Sequence, residues 1–214
     1  MKEKELTTMF CNNVLHQYSP AQMDKITNFI KKKFGGGGEG WVCHELSSKD
    51  IHVDVDVTSN EDNQHLVTFG MGSMEMCNYL VLGKDELKRL EILFNVSLDY
   101  EMTNEEKLLL ANELMKIAKY PSRENTFFGP GHTINASKEF KEKFGYDYFL
   151  FFLPIEKIKL GKLGYVYFIP LIPIYEEERE WMVKNNSFEW LYAMDDLDTA
   201  ILIDKKREMF IPKK

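Results

Sequence analysis

Residues 51–57 read Ile-His-Val-Asp-Val-Asp-Val, and this strict alternation decides the fold class. Successive side chains of a strand point to opposite faces. Ile51, Val53, Val55 and Val57 therefore share one side, and His52, Asp54 and Asp56 the other. The polar run Asn60–Asn63 supplies a turn and His65–Met71 returns as a second strand, so the pair reads as a hairpin. Outward from it, Trp41–Leu46, Leu90–Leu98, Phe149–Leu153 and Tyr165–Ile174 carry the β-branched and aromatic content of further strands. Pro170 and Pro173 cannot both donate to a ladder, which predicts an edge or a bend in the last of these.

Helices are punctuated as clearly. Ser19-Pro20-Ala21-Gln22 offers an N-cap, a proline in the first turn and a capping-box glutamine. Met23, Ile26, Ile30 and Phe34 follow at helical spacing, and Gly35 ends the run. Leu6, Phe10 and Val14 suggest an earlier helix. Thr103 and Glu106 form a second capping signal ahead of an apolar face made of Leu108, Leu109, Ala111, Leu114, Met115 and Ala118, which Pro121 is expected to stop. Tyr175–Asn185 reads as an acidic helix. Ser187 is expected to cap a last helix through Met194. Ala200–Asp204 and Glu208–Ile211 suggest a terminal hairpin around Lys205–Arg207. Runs of strands and grouped helices, with no linker or repeat, predict a single α+β domain over 1–214. It would have a central, mostly antiparallel sheet with flanking helices and a helical segment over 1–28.

Composition excludes whole classes of function. With 44% hydrophobic and 29% charged residues the chain is neither disordered nor low-complexity. A net charge of −7 gives no global attraction for phosphate backbones, so no nucleic-acid partner is expected. Cys11, Cys43 and Cys77 form no C-x-x-C pair, which leaves no zinc ribbon or redox motif and fits a reducing compartment. The apolar stretches Tyr148–Ile155 and Tyr165–Tyr175 are too short to span a bilayer. MKEKELTTMF lacks a signal-peptide core, so a cytoplasmic protein without membrane contact or cofactor is expected.

Few residues carry chemistry. His52, Asp54 and Asp56, with His44 and Glu45 nearby, could hold a hydrated divalent ion and so give a metal-dependent hydrolase. The alternative is a solvated or structurally satisfied strand face. Gly35–Gly38 with Gly40 runs from helix to strand, the wrong order for a phosphate loop, and no GK[ST] follows. Ser73 lacks the G-x-S-x-G context, and adjacent Cys43 and His44 would point to opposite faces. Glu176, Glu177 and Glu180 make an anionic face able to dock a basic protein.

Five blocks together resemble one family. HELSSKDIHVDVDV, VTFGMGSMEM, AKYPSRENTFFGPGHTI, YVYFIPLIPIYEEEREW and LDTAILIDKKREMF are similar to the Suppressor-of-fused-like domain, over about residues 29–212. The resemblance implies an α+β fold without established catalysis. Eukaryotic members grip a short extended peptide of a transcription factor between two domains. Bacterial single-domain members are often predicted to be immunity proteins that neutralise toxins of polymorphic toxin systems, and a chain that stops where the first domain stops looks like that type. The resemblance points to the loop with Tyr120, Glu124, Asn125, Phe127, His132 and Thr133. The acid that precedes the histidine in eukaryotic peptide binders is Gly131 here. That loop is either a recognition surface or a glycine loop folded over the sheet. The expected function is non-catalytic binding of a protein, a cognate toxin in the immunity reading.

Overall fold

The structure is a computed structural model and describes residues 17–35, 41–44, 51–77, 79–204 and 207–212. The Leu6–Val14 pattern, the glycines of 36–40, Glu45–Leu46 and Lys205–Lys206 lie outside the described residues.

The chain opens with α1 (Pro20–Phe34), then β1 (Trp41–Cys43), β2 (Asp54–Ser59) and β3 (Asn63–Phe69). A two-residue ladder follows, β4 (Val81–Leu82) with β5 (Asp85–Glu86), and then β6 (Leu90–Ser97) and α2 (Asn104–Glu124). Next come β7 (Thr133–Asn135), α3 (Lys138–Phe144), β8 (Tyr148–Phe151), β9 (Glu156–Lys159) and β10 (Tyr165–Ile174). Three helices close the chain: α4 (Glu176–Lys184), α5 (Ser187–Ala193) and α6 (Leu197–Ala200). The main sheet runs β1-β2-β3-β6-β10-β8-β7, with β9 also on β10. Every pairing in it is antiparallel except β6 with β10.

The alternation of residues 51–57 does what period two requires. Ile51, Val53, Val55 and Val57 are buried in a core shared with Leu110, Ala111, Leu114 and Ala118 of α2 and Phe140 of α3. β10 shows why its sequence is apolar throughout. Tyr167, Ile169 and Leu171 face α2 and α3. On the opposite face, Val166 and Phe168 lie under Ile26, Ile30 and Phe34 of α1, and Ile172 and Ile174 under Met182 and Trp190 of α4 and α5. A strand covered on both faces loses its alternation.

Several boundaries differ from expectation for physical reasons. β10 is central, not an edge strand. The carbonyl of Pro170 meets Phe152 N–H at 2.9 Å, so its missing donor faces the break between β8 and β9. Pro173 lies beyond the last β6 partner, where Arg207 Nη2 donates to its carbonyl at 3.0 Å. Pro121 sits inside α2, which continues to Glu124 because losing one bond in a last turn is tolerable. Asn186, whose side chain accepts from Phe188 N–H at 2.7 Å, caps α5, and Ser187 is its first residue. Leu108 and Met23 are exposed, and Leu110 takes the buried place on α2. No terminal hairpin forms among the described residues: Leu202 makes a single parallel bridge to Asn95. Among the described residues no helix is long and apolar enough to cross a membrane.

Candidate functional site

The segment between α2 and β7 is built around one buried and one half-buried aromatic ring. Asn125 ends α2 in the left-handed region at φ 49°, and its N–H returns to the Pro121 carbonyl. Phe128 then enters the core, stacked on Phe151 at 4.2 Å and on Tyr120 at 5.6 Å. Phe127 stays half-buried and packs against the His132 ring at 5.1 Å. Adjacent phenylalanines thus take opposite duties, Phe128 structural and Phe127 at the surface.

Gly129-Pro130-Gly131-His132 forms a tight turn, closed by His132 N–H to the Gly129 carbonyl at 3.1 Å. Proline at the second position and glycine with φ +84° at the third are what a type II turn demands. Gly131 N–H donates to the Phe151 carbonyl, and Phe151 N–H to the His132 carbonyl, both at 2.9 Å. Two residues therefore oppose one, a glycine bulge that feeds the chain into β7. A Cβ on Gly131 would stand 3.3 Å from Phe188 Cε2 in addition to the backbone strain. Gly131→Ala is expected to lower stability by about 1–2 kcal/mol, the usual cost of a left-handed residue with a side chain, read by urea unfolding.

Among the described residues β7 is the last strand of the sheet and pairs only with β8. The His132 carbonyl accepts from Phe151 of β8 and Ala136 N–H donates to the Asp147 carbonyl just before it, so the backbone groups of residues 132, 134 and 136 face that strand. By alternation, the N–H and C=O of Thr133 and Asn135 point outward along an open edge. Two hollows flank that edge. One, of about 410 Å³, is lined by Tyr120, Phe127, Gly131, His132 and Thr133 together with Arg179, Met182 and Val183 of α4 and Ser187 of α5. The other, of about 380 Å³, lies between α2 and β7 and includes Lys116, Tyr120, Arg123 and Asn135. They share Tyr120, Phe128 and Thr133, which makes them two parts of one groove. Ser187 Oγ donates to the Gly131 carbonyl at 2.8 Å and holds the helical wall to the loop. Burial holds the His132 imidazole below its ordinary pKa, so the ring is neutral near pH 7.

Five of the residues named from the sequence line one hollow: Tyr120, Phe127, Gly131, His132 and Thr133. Glu124 and Asn125 are exposed where α2 ends. Glu176, Glu177 and Glu180 are exposed on α4, with Glu180 paired to Lys184 at 3.3 Å. The helical wall was missed. Arg179, Met182 and Val183 are three and four apart and so share a helix face, a signal hidden behind the count of glutamates.

The strand face of His52, Asp54 and Asp56 has a different character. Asp54 is buried, with His52 Nε2 at 3.1 Å from one oxygen and His44 Nδ1 at 3.3 Å from the other. Asp56 is also buried, and burial raises its carboxyl above the ordinary range. Among the described residues no group of three or more His, Cys, Asp or Glu side chains is arranged to hold a metal ion. The hydrolase alternative gains no support from this geometry.

Comparison with known proteins gives the family and the fold. The family model described as Suppressor of fused protein (SUFU) matches residues 49–208. This chain belongs to the SUFU family. A SUFU homologue from Neisseria gonorrhoeae superposes with a TM-score of 0.59 at 15% identity, covering 92% of this chain and 98% of that one. The structure of the Sufu–Fu complex gives 0.61 at 12% identity, covering 89% and 93%. Drosophila Suppressor of Fused gives 0.51 at 15% identity, and there the match spans 72% of this chain but only 42% of the relative. No curated protein matches the sequence. At these identities the solved structures establish the SUFU fold.

Proposed function

We propose that this SUFU-family chain is a non-catalytic protein-binding domain that receives an extended segment of its partner along β7. In the same reading it acts as an immunity protein, neutralising a cognate toxin by covering it. The observation that carries the proposal is the β7 edge, open among the described residues, where Thr133 and Asn135 offer outward backbone groups between two hollows. An added strand would satisfy those groups, and the hollows would take alternate side chains. A related structure is itself a complex, that of Sufu with Fu, and the Neisseria homologue is of nearly the same extent as this chain. The exposed Glu176, Glu177 and Glu180 stand on the same helix as one wall of the groove and would meet a basic rim on the partner.

The test pairs stability with capture of a toxin encoded beside this gene. His132→Ala is expected to change unfolding by less than about 1 kcal/mol, since the loop is held by its backbone. It should weaken capture by about 2 kcal/mol, or about thirty-fold. Asn135→Pro removes an outward donor and no ladder bond, so it should block capture while the domain stays folded. Undiminished capture by both variants, measured by calorimetry, would refute the edge-binding mode. Failure of co-expression to protect cells from that toxin would refute the immunity role.

A further inference from the structure

The groove carries a charge opposite to that of the molecule, and this names the chemistry of what it receives. We infer that the segment bound along β7 bears an aspartate or glutamate side chain, and that Arg179 is the residue that receives its carboxylate. This rests on the edge-binding reading above and adds a specificity to it.

The chain has four arginines. Arg89 donates to the carbonyls of Leu163, Gly72 and Ser73. Arg123 donates to the Lys116 carbonyl and Arg207 to Glu178. Arg179 is different: among the described residues its guanidinium has no hydrogen-bond acceptor and no ion-pair partner. It is nevertheless half-buried, and it lies over the Tyr148 ring at 4.8 Å, which fixes the plane of its fork at the groove. A guanidinium prepaid in orientation and lacking an acceptor is suited to a bidentate carboxylate. The surroundings favour the same ligand. Among the described residues no carboxylate lines this part of the groove, and the neighbouring His132 ring is neutral near pH 7. Phe127, Met182 and the largely exposed Val183 add apolar surface beside the cation. An extended segment with one acid and an adjacent apolar side chain fits both features.

A random peptide library displayed on phage, fused at the peptide C-terminus so that only side-chain carboxylates are offered, tests this on the full chain. Wild type should select peptides with Asp or Glu at one fixed register next to an aliphatic or aromatic residue. The Arg179→Glu variant should shift that register to Lys or Arg. A synthetic wild-type-selected peptide, amidated at its C-terminus, should lose about ten-fold or more in affinity on Glu→Gln or against Arg179→Ala. N-methylation of its alternate amides probes the edge without altering the protein. Peptides abolished by N-methylation yet indifferent to Arg179 would overturn the carboxylate inference and leave the edge reading standing. Peptides indifferent to N-methylation, or no selection at all, would overturn both.

Discussion

Arg207→Ala and Glu178→Gln should each destabilise the domain by about 3–5 kcal/mol, the usual result of breaking one side of a buried ion pair. The Glu178 side chain is 0% exposed and that of Arg207 8%. Their contact is bidentate, with Nη1 at 2.5 Å from Oε1 and Nη2 at 2.7 Å from Oε2. Glu178 also accepts from Tyr175 N–H at 2.9 Å and Phe210 N–H at 2.7 Å. The guanidinium carbon lies over the rings of Tyr146, Tyr175 and Trp190, 5.4–5.8 Å from their centres. Trp190 Nε1 closes the strap by donating to the Phe210 carbonyl at 3.0 Å. Residues 207–212 are thereby fastened across α4 and α5, the elements that form the helical wall of the groove. Removing Arg207 leaves a buried carboxylate with two backbone donors and no cation. Replacing both partners with Met should cost less than either single change, because no uncompensated charge remains. Urea unfolding of the two single variants and the double decides it. Single variants within about 0.5 kcal/mol of wild type would mean that the strap is incidental.

The same strap explains what could and could not be read in the sequence. IHVDVDV was legible because one face of β2 packs on α2, so a local period reports a tertiary fact. LDTAILIDKKREMF misled because its local pattern suggests a hairpin, while the decisive interaction is between Arg207 and a glutamate 29 residues earlier. Pro170 and Pro173 misled in the same way. Whether a missing donor matters depends on where β8, β9 and β6 begin and end, and no local rule contains that. At the site, the glycine loop was legible as a loop, and the residue demands of a type II turn and bulge explain its Gly-Pro-Gly-His order. The opposite wall was not legible, because α4 shows Glu176, Glu177 and Glu180 to solvent while Arg179, Met182 and Val183 line the hollow from another face of the helix. Half of the groove is written in a loop and half in a helix face some 50 residues away.

Glu91 should make stability fall as pH rises, opposite to the usual carboxylate. It is fully buried on β6 and accepts from Tyr18 Oη at 2.6 Å, Thr68 Oγ1 at 2.7 Å, and the Gly70 and Gly72 N–H groups at 3.0 Å each. The FGMG stretch owes both glycines to tight packing around this carboxylate. A Cβ on Gly72 would lie 2.5 Å from Tyr18 Oη, and one on Gly70 2.0 Å from the His52 carbonyl. Burial outweighs the four donors and pushes the carboxyl from 4.5 up to about 7. Between those values the folded state keeps a proton that the unfolded chain releases. The contribution is complete below the unfolded pKa and is lost as pH rises through the folded one, about 3 kcal/mol in all. His65 and His132, both lowered by burial, act in the other direction, since their contribution disappears as pH falls. The raw curve therefore mixes signs. Glu91→Gln is neutral throughout, so the stability gap between wild type and this variant isolates the carboxyl. That gap should shrink by about 3 kcal/mol between about pH 5 and about pH 8, read by urea unfolding at each pH. A gap that stays constant would mean that Glu91 is ionised in the fold across the range, its four donors outweighing burial. Tyr18, which precedes α1, would then be held by a permanent anion, and not by a carboxyl that gains its charge only near neutrality.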